Sequence, residues 1–282
     1  TFGSGGHSVD LYTDTESVVN ATVAGGEGYD SVTVSGGGDY SNGGNEGNYL
    51  RLTGVEQVDV SETYNVHGNY NTIVADGDLQ QVYLSNNEAA SYLTVNTGGA
   101  NESTTGDVTL TVNGGYGYDS VVVNANSGAN VSLNAAYGEG GSETSVNAYN
   151  GGDVTLTVDA GYGYDRVYSE SSGNLTATVS VGEGGSYVRA YSEGNIDLTV
   201  NAGEGYDDVR AYTYTGGSID ATLNLGNGEG YVQLGANEGG NVTADVTFGS
   251  GGHSVDLYTD TESVINATVA GGEGYDSVTV EG

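Results

Sequence analysis

Hydrophobic and polar residues alternate strictly in short segments along the second half of the chain. In residues 108–112, Val, Leu and Val are separated by single Thr residues, and the same alternation returns at 154–158 and 196–200. A period of two carried by β-branched residues is typical of β-strands with one buried face. The pattern therefore predicts many short strands, each with its apolar side chains on one side.

Each alternating segment is followed by a Gly-x-Gly tripeptide, which recurs at nearly constant spacing from Gly117 to Gly274. The positions nine, seven and five residues before the second glycine are apolar in all eight of these periods. A second, shorter alternating segment follows the tripeptide, and a polar turn closes the period. One period cannot bury its apolar face alone, whereas stacked copies can. The sequence predicts an all-β fold, a parallel β-solenoid or β-roll with about 22 residues and two short strands per coil.

A longer repeat contains these coils. Residues 247–282 repeat residues 1–36 with two differences, Val19 against Ile265 and Ser35 against Glu281. We interpret residues 1–282 as one continuous solenoid, with a tandem unit at 1–246 and the start of the next unit at 247–282. The gap between Gly28 and Gly117 holds about four periods, so one unit is predicted to contain about eleven coils. Residues 37–105 are predicted to form irregular coils with a protruding loop around residues 36–45.

Composition first suggests disorder, because 51 of 282 residues are Gly and the net charge is −34. The apolar columns, held in register, favour an ordered repetitive fold instead.

Four arginines and no lysine cannot neutralise a phosphate backbone, which excludes nucleic-acid binding. No apolar run approaches the length that a membrane helix needs, so no membrane span is predicted. The absence of Cys excludes disulfides and thiolate sites.

The glycine turns carry a recognisable motif. Residues 25–33 and 114–122 fit G-G-x-G-x-D-x-U-x at every fixed position, a further copy lies at 271–276, and looser copies lie at 161–165 and 203–207. Here the chain resembles the RTX, or haemolysin-type, calcium-binding repeats of large secreted bacterial surface-layer, adhesin and fibre proteins. The LTGVEQVDV segment at 52–60 is also similar to segments of bacterial surface-layer proteins with RTX-type repeats. The resemblance implies a calcium-filled β-roll. The motif appears once per coil, however, so a calcium ladder is expected on one edge only.

The turn carboxylates are the candidate calcium ligands: Asp30, Asp119, Asp165, Asp207, Asp276, Glu27, Glu139, Glu183, Glu204 and Glu273. Stacking is expected to bring Asp119 near Glu139, and Asp165 near Glu183, about 5 Å apart along the axis. Bound calcium would relieve the repulsion between such carboxylates. The alternative is that these acids are solvated turn residues that keep the solenoid soluble. Alternate turns carry Ser or His in place of Asp, at Ser142, Ser186 and His253.

The outward positions leave two further alternatives open. Thr-x-Thr pairs on the first strand of successive coils resemble the ice-binding faces of antifreeze proteins, but Thr is also a good exposed strand residue. Interruption by Asp197, Asp220 and Asp245 favours the second explanation. Outward Tyr and Arg residues on the second strand fit either a lateral or cell-surface contact or stacking within the solenoid.

No enzyme is predicted. His7 and His253 occupy the same repeat position, and without Lys the glycines cannot form a P-loop.

The sequence instead predicts an extracellular structural repeat protein, secreted or attached to a cell surface. It would be a segment of a long tandem β-solenoid that forms a fibre or surface layer, stabilised by calcium at its Gly-x-Gly-x-Asp turns. The expected partners are copies of itself joined end to end, and a cell surface. The alternatives are an adhesin stalk or ligand-binding array, and an ice-binding face.

Overall fold

A computed structural model describes residues 1–12, 18–35, 48–61, 69–75, 78–84, 90–97, 107–126, 128–260 and 262–282. These residues form 24 β-strands and no helix, in two parallel sheets of 12 strands each. The chain alternates between the two sheets, so two consecutive strands make one coil. One coil, for example, runs from Val131 to Val154, which lies beside it in the same sheet. The predicted parallel β-solenoid is therefore confirmed.

The first sheet holds the odd-numbered strands: β1 Ser8–Tyr12, β3 Ser31–Ser35, β5 Gln57–Ser61, β7 Gln81–Leu84, β9 Val108–Asn113, β11 Val131–Ala136, β13 Val154–Asp159, β15 Leu175–Ser180, β17 Ile196–Asn201, β19 Ile219–Leu225, β21 Val242–Phe248 and β23 Ile265–Ala270. The second sheet holds the even-numbered strands: β2 Asn20–Ala24, β4 Asn48–Thr53, β6 Asn69–Ala75, β8 Ser91–Thr97, β10 Asp119–Ala125, β12 Ser142–Ala148, β14 Asp165–Ser171, β16 Ser186–Ser192, β18 Asp207–Thr213, β20 Gly230–Ala236, β22 His253–Thr259 and β24 Asp276–Glu281.

Equivalent residues of successive coils lie side by side, and this register builds the core. Leu133 pairs with Leu110 on one side and with Leu156 on the other, and all three are 1% exposed. The predicted apolar columns of the first sheet join the inward residues of the second sheet in one apolar cluster. Burying one such leucine contributes about 1.5–3 kcal/mol, so each added coil stabilises its neighbours.

The glycine turns stack too closely for any side chain. A Cβ atom at Gly138 would lie 2.1 Å from the carbonyl oxygen of Gly115 in the preceding coil. Gly141 and Gly185, which follow the tripeptide, have φ values of 84° and 86°. Such positive φ values favour glycine because it lacks a Cβ atom.

The tandem repeat and the coil are out of phase. The sequence of β1 recurs in β22, yet β1 lies in the first sheet and β22 in the second. In the part of the chain that the structure describes, β22 follows β1 by 21 strands. At two strands per coil, the unit at residues 1–246 spans ten and a half coils, against the prediction of about eleven. The turn at residues 25–28 therefore lies on the opposite edge of the solenoid from its copy at 271–274, and the motif is not confined to one edge.

The half coil arises in the irregular region between β3 and β10. Residues 37–105 contribute β4 to β8. The number of residues between register partners in successive coils, here called the step, varies in this region. The steps from Asn20 to Tyr49 and from Gln81 to Thr111 are both longer than the regular step from Val108 to Val131. Three and a half coils thus occupy the gap predicted to hold four. The predicted protruding loop at 36–45 lies outside the described residues.

Candidate functional site

The aspartates of the glycine-turn motif point into the solenoid. Asp119, Asp165 and Asp207 are the first residues of β10, β14 and β18, and each is at most 1% exposed. Asp30 precedes β3 and is equally buried, whereas Asp276 in the last strand is partly exposed. Because side chains alternate along a strand, an Asp two residues before a core valine shares its inward direction. Asp119, Asp165 and Asp207 therefore belong to the inner surface of the second sheet.

Each of these aspartates lies beside an uncharged residue or a histidine in the adjacent coils. Along the second sheet, one inward column contains, in register, Ser91, Asp119, Ser142, Asp165, Ser186, Asp207, Gly230, His253 and Asp276. We call this set the aspartate column. The alternation holds neighbouring carboxylates at least two coils apart, about 10 Å or more, which limits their repulsion in the core.

Direct contacts join the members of the aspartate column across coils. Ser142 Oγ donates to Asp165 Oδ1 at 2.9 Å, and Ser186 Oγ donates to Asp207 Oδ1 at 2.8 Å. The ring nitrogen Nδ1 of His253 lies 3.1 Å from Oδ1 of Asp276. The same pair occurs in the first copy of the repeat, where His7 Nδ1 and Asp30 Oδ1 are 2.9 Å apart. The Ser and His residues that replace Asp in alternate turns are thus the hydrogen-bond partners of Asp165, Asp207, Asp276 and Asp30.

The same carboxylates also hold their own turns. The amide of Gly115 donates to Asp119 Oδ2 at 2.9 Å, and the amide of Gly26 donates to Asp30 Oδ2 at 2.7 Å. A Cβ atom on the preceding glycine, Gly114, would lie 2.4 Å from the Asp119 carboxylate oxygen. The Gly-Gly-x-Gly-x-Asp spacing therefore folds a bare backbone turn over a buried carboxylate.

Burial dominates the electrostatics of the column. It raises the pKa of Asp119, Asp165 and Asp207 to about 6, and their hydrogen bonds oppose this shift only in part. Asp165 Oδ2 contacts no hydrogen-bond donor in the described part of the chain. The pKa of Asp30 is instead lowered, chiefly by the hydrogen bond from the Gly26 amide. The interior of the second sheet thus favours protonated carboxyl groups.

The turn glutamates lie apart from these aspartates. Glu27, Glu139, Glu183, Glu204 and Glu273 are all exposed. The register partner of Asp119 is Ser142 rather than Glu139, and Asp165 lies between Ser142 and Ser186.

Among the described residues, no group of three or more His, Asp or Glu side chains is placed to hold a metal ion. An oxygen-rich calcium shell does not fit this arrangement, because the Asp oxygens face inward and the Glu oxygens face outward. Calcium binding at the turns stays a prediction.

A second ladder, which the sequence analysis missed, follows the other edge of the same coils. At the position before each odd-numbered strand from β9 to β21, a side-chain oxygen accepts a hydrogen bond from the backbone amide of its equivalent in the next coil. Examples are Asn130 N to Asp107 Oδ1 at 3.0 Å and Ser218 N to Asn195 Oδ1 at 2.9 Å. The members are Asp107, Asn130, Asp153, Asn174, Asn195, Ser218 and Asn241, and the last bond reaches the amide of Val264. We call it the Asx ladder. Its signal in the sequence is a polar residue ten positions before the second glycine of the tripeptide.

The Thr rows occupy the outer face of the first sheet in register. Thr155 pairs with Thr176, and Thr157 pairs with Thr178. Further along the same rows, Asp197 pairs with Asp220, which places two carboxylates side by side on the surface. The ice-binding interpretation stays a prediction.

No protein-family model matches the chain, and no curated protein or solved structure is detectably similar to it. Within the described ranges there is no helix long and apolar enough to cross a membrane.

Proposed function

We propose that this chain is a segment of an extracellular structural protein whose tandem units continue as one long solenoid, forming a fibre or a surface layer. Its role is mechanical rather than catalytic. The support comes from the junction between the two copies of the repeated segment and from the ladders along the axis.

The observation that carries the proposal is the junction between the two copies of the repeated segment. Thr247, where the repeat restarts, lies inside strand β21, and β22 and β23 of the second copy pair in register with β20 and β21. Leu257 in β22 is 1% exposed and belongs to the same apolar cluster as the preceding coils. The core and both sheets therefore pass from one unit into the next without a break. A solenoid built in this way can extend by adding further units to its strand edges.

The two ladders also support extension of the solenoid along its axis. The aspartate column and the Asx ladder both link successive coils through side-chain hydrogen bonds. Because each coil contacts mainly its neighbours, stability grows with the number of stacked coils. Such a design suits a long filament better than a compact domain.

Electron microscopy of the native assembly tests the proposal. An antibody against residues 1–36 should decorate filaments or layers at an axial spacing of about 50 Å, which is ten and a half coils at about 4.8 Å each. Monodisperse particles without this spacing would overturn the proposal. If such particles bound a cell surface, they would favour the adhesin stalk instead.

A matched pair of variants tests stacking beyond β24. Val280→Asp places a charge on the inward face of β24, against which the core of a following coil would pack, whereas Thr279→Asp places it on the outer face of the same strand. We expect the first variant to abolish end-to-end association of the chain, seen as loss of filaments, and the second to preserve it. Equal behaviour of the two variants would contradict stacking through the inward face of β24.

The calcium prediction has its own test. Because the Asp oxygens lie inside the solenoid and the turn glutamates face solvent, we expect the melting temperature to be the same in EDTA and in millimolar calcium. A rise in melting temperature with calcium that Asp165→Asn abolishes would support calcium at the turns and contradict our expectation.

A further inference from the structure

The two outer faces of the solenoid differ in chemistry. All four arginines of the chain, Arg51, Arg166, Arg189 and Arg210, lie on strands of the second sheet and at outward positions. The outward residues of β14, β16, β18, β20 and β22 also include most of the tyrosine rings that stack on one another. We call these outward residues the tyrosine–arginine face.

The rings of this face form a fixed ladder. Tyr191 stacks on Tyr212 with centroids 5.6 Å apart and on Tyr214 at 6.3 Å. Tyr168, at 5.5 Å from Tyr191, extends the ladder toward β14 and remains 36% exposed. The stacked rings present a rigid surface with apolar edges, and rigid Tyr contacts lose little conformational entropy on binding.

The arginines are held flat against this surface. The Arg189 guanidinium lies 3.4 Å from the centroid of the Tyr187 ring and forms an ion pair with Asp208 at 2.8 Å. Arg210 lies over Tyr231 at 4.9 Å and also contacts Asp208. Tyr and Arg are residue types that dominate protein interfaces.

Charge balance indicates which partner this face accepts. The tyrosine–arginine face carries three arginines against three acids, Glu170, Asp208 and Asp256, so its charges cancel. The outward residues of β13 to β21 on the first sheet instead carry four acids and no base: Asp159, Asp197, Asp220 and Asp245. Two chains with a net charge of −34 each can approach most easily where this repulsion vanishes.

We propose that the tyrosine–arginine face is a lateral interface that binds the same face of a second copy of this chain. A twofold arrangement can place the accessible Arg166 and Arg210 of one copy against Glu170 and Asp256 of the other, while the buried Arg189–Asp208 pair holds the face together. The proposal rests on the proposed function, since lateral contacts join solenoids into a bundle or layer. Five strands of this length offer about 500 Å² per copy, or about 1,000 Å² in total, which is the size of a weak or transient interface. A single chain is therefore expected to dimerise weakly, and tandem units to reinforce one another.

The half-coil phase of the repeat sets how many neighbours one array binds. Because β1 and its copy β22 lie in opposite sheets, the next unit presents its tyrosine–arginine face on the opposite side. Each array thus offers this face alternately to the left and to the right, at successive units. Lateral pairing on two opposite sides builds a flat layer rather than a pair of fibres.

Sedimentation equilibrium of the full chain tests the interface. It is carried out in the Val280→Asp background, where end-to-end association is blocked, so that failure of the lateral interface and failure of the filament are seen separately. Tyr168→Glu and Thr157→Glu each add one negative charge to the same coil, on the tyrosine–arginine face and on the opposite face respectively. We expect Tyr168→Glu to weaken dimerisation about tenfold or more, while Thr157→Glu and Tyr168→Phe keep it close to that of the parent. A chain that stays monomeric up to its solubility limit, or equal weakening by both Glu variants, would overturn the proposal.

Pairs of labels test the half-coil phase. The chain contains no Cys, so two introduced cysteines can be labelled and imaged on single particles. Thr22→Cys with Thr268→Cys marks the same repeat position in β2 and β23. Thr33→Cys with Thr268→Cys, in β3 and β23, is the control in one sheet at nearly the same axial distance. We expect the first pair on opposite sides of the particle and the control pair on one side. Both labels of the first pair on one side would overturn the alternation.

Discussion

Ser142 Oγ donates a hydrogen bond to Asp165 Oδ1 in the next coil at 2.9 Å, and both side chains are fully buried. The pair shows why Asp is absent from alternate glycine turns. A buried carboxylate needs a donor, and a second carboxylate in its place would add repulsion and leave both groups unsatisfied. The Ser and Asp turns are therefore two halves of one contact.

Removal of the donor should destabilise the solenoid. Ser142→Ala leaves Asp165 without its hydroxyl partner, and we expect a loss of about 1–3 kcal/mol in the free energy of unfolding. Urea denaturation followed by circular dichroism measures this loss. Ser132→Ala, on the outer face of β11, is the matched control and should change stability by less than about 0.5 kcal/mol. A loss of the same size in both variants would contradict the role of the buried pair.

Stability should fall as the pH rises from about 4 to about 6. Burial raises the pKa of Asp119, Asp165 and Asp207 to about 6, above the value of 3.8 for a free Asp. In that window the folded state binds more protons than the unfolded state, so each of these groups stabilises the fold in acid and loses that contribution as it ionises. Thermal melts in EDTA across this range measure the effect, and a melting temperature that rose over the same window would contradict it.

Asp165→Asn isolates one of these groups, because it imitates the protonated carboxyl. At pH 7.5 we expect it to raise the free energy of unfolding by up to about 3 kcal/mol, because about two pKa units separate the buried carboxyl from a free one and each unit corresponds to about 1.4 kcal/mol. Near pH 4 the variant and the parent should be similar. Destabilisation at pH 7.5 would show that the ionised carboxylate is the favoured form.

The Asx ladder should protect the turns locally. Asn195→Ala removes the oxygen that accepts from the Ser218 amide, with an expected cost of about 0.5–1.5 kcal/mol. Hydrogen exchange should show faster exchange of that amide and of its neighbours, without a change in distant coils. Asn134→Ala, on the outer face of β11, serves as the comparison, and its exchange should match that of the parent. Unchanged protection of Ser218 in the Asn195 variant would count against the ladder.

The ion pair of Arg189 should matter more than its place on an outer face suggests. Arg189 is 3% exposed, and Asp208→Asn leaves its guanidinium buried without a counter-charge, which typically costs about 3–5 kcal/mol. Burial raises the pKa of Asp208, but hydrogen bonds from Arg189 and Arg210 outweigh it and hold that pKa below the usual value. The stabilisation of the fold by the Arg189–Asp208 ion pair is therefore present at neutral pH and is lost as the pH falls through the lowered pKa of Asp208. Denaturant unfolding at pH 7 measures the loss of stability. Asp220→Asn is the control: because Asp220 lies beside Asp197, its neutralisation should leave stability unchanged or raise it slightly.

Much of the fold was predictable from local spacing. The alternation in 108–112 and the period of the Gly-x-Gly turns predicted two strands per coil and an inward apolar face, and both are confirmed. The inward direction of Asp119 was also implicit in the sequence, because Asp119, Val121 and Val123 follow one alternation. The resemblance to calcium-binding turns directed attention to the turn instead of the strand, so the aspartate column was missed.

The period, the buried columns and the strand content could be read from the sequence, since they depend on residues a few positions apart. The contact between Ser142 and Asp165 follows from the same regular spacing, once the strands are known to stack in register. The side on which each unit presents its tyrosine–arginine face was visible only in the tertiary structure. It depends on how many strands form between Gly28 and Gly117, where the long steps to Tyr49 and to Thr111 interrupt the period. One strand more or fewer in that segment leaves every local pattern unchanged. It nevertheless moves all the following residues to the opposite sheet, because successive strands alternate between the two sheets.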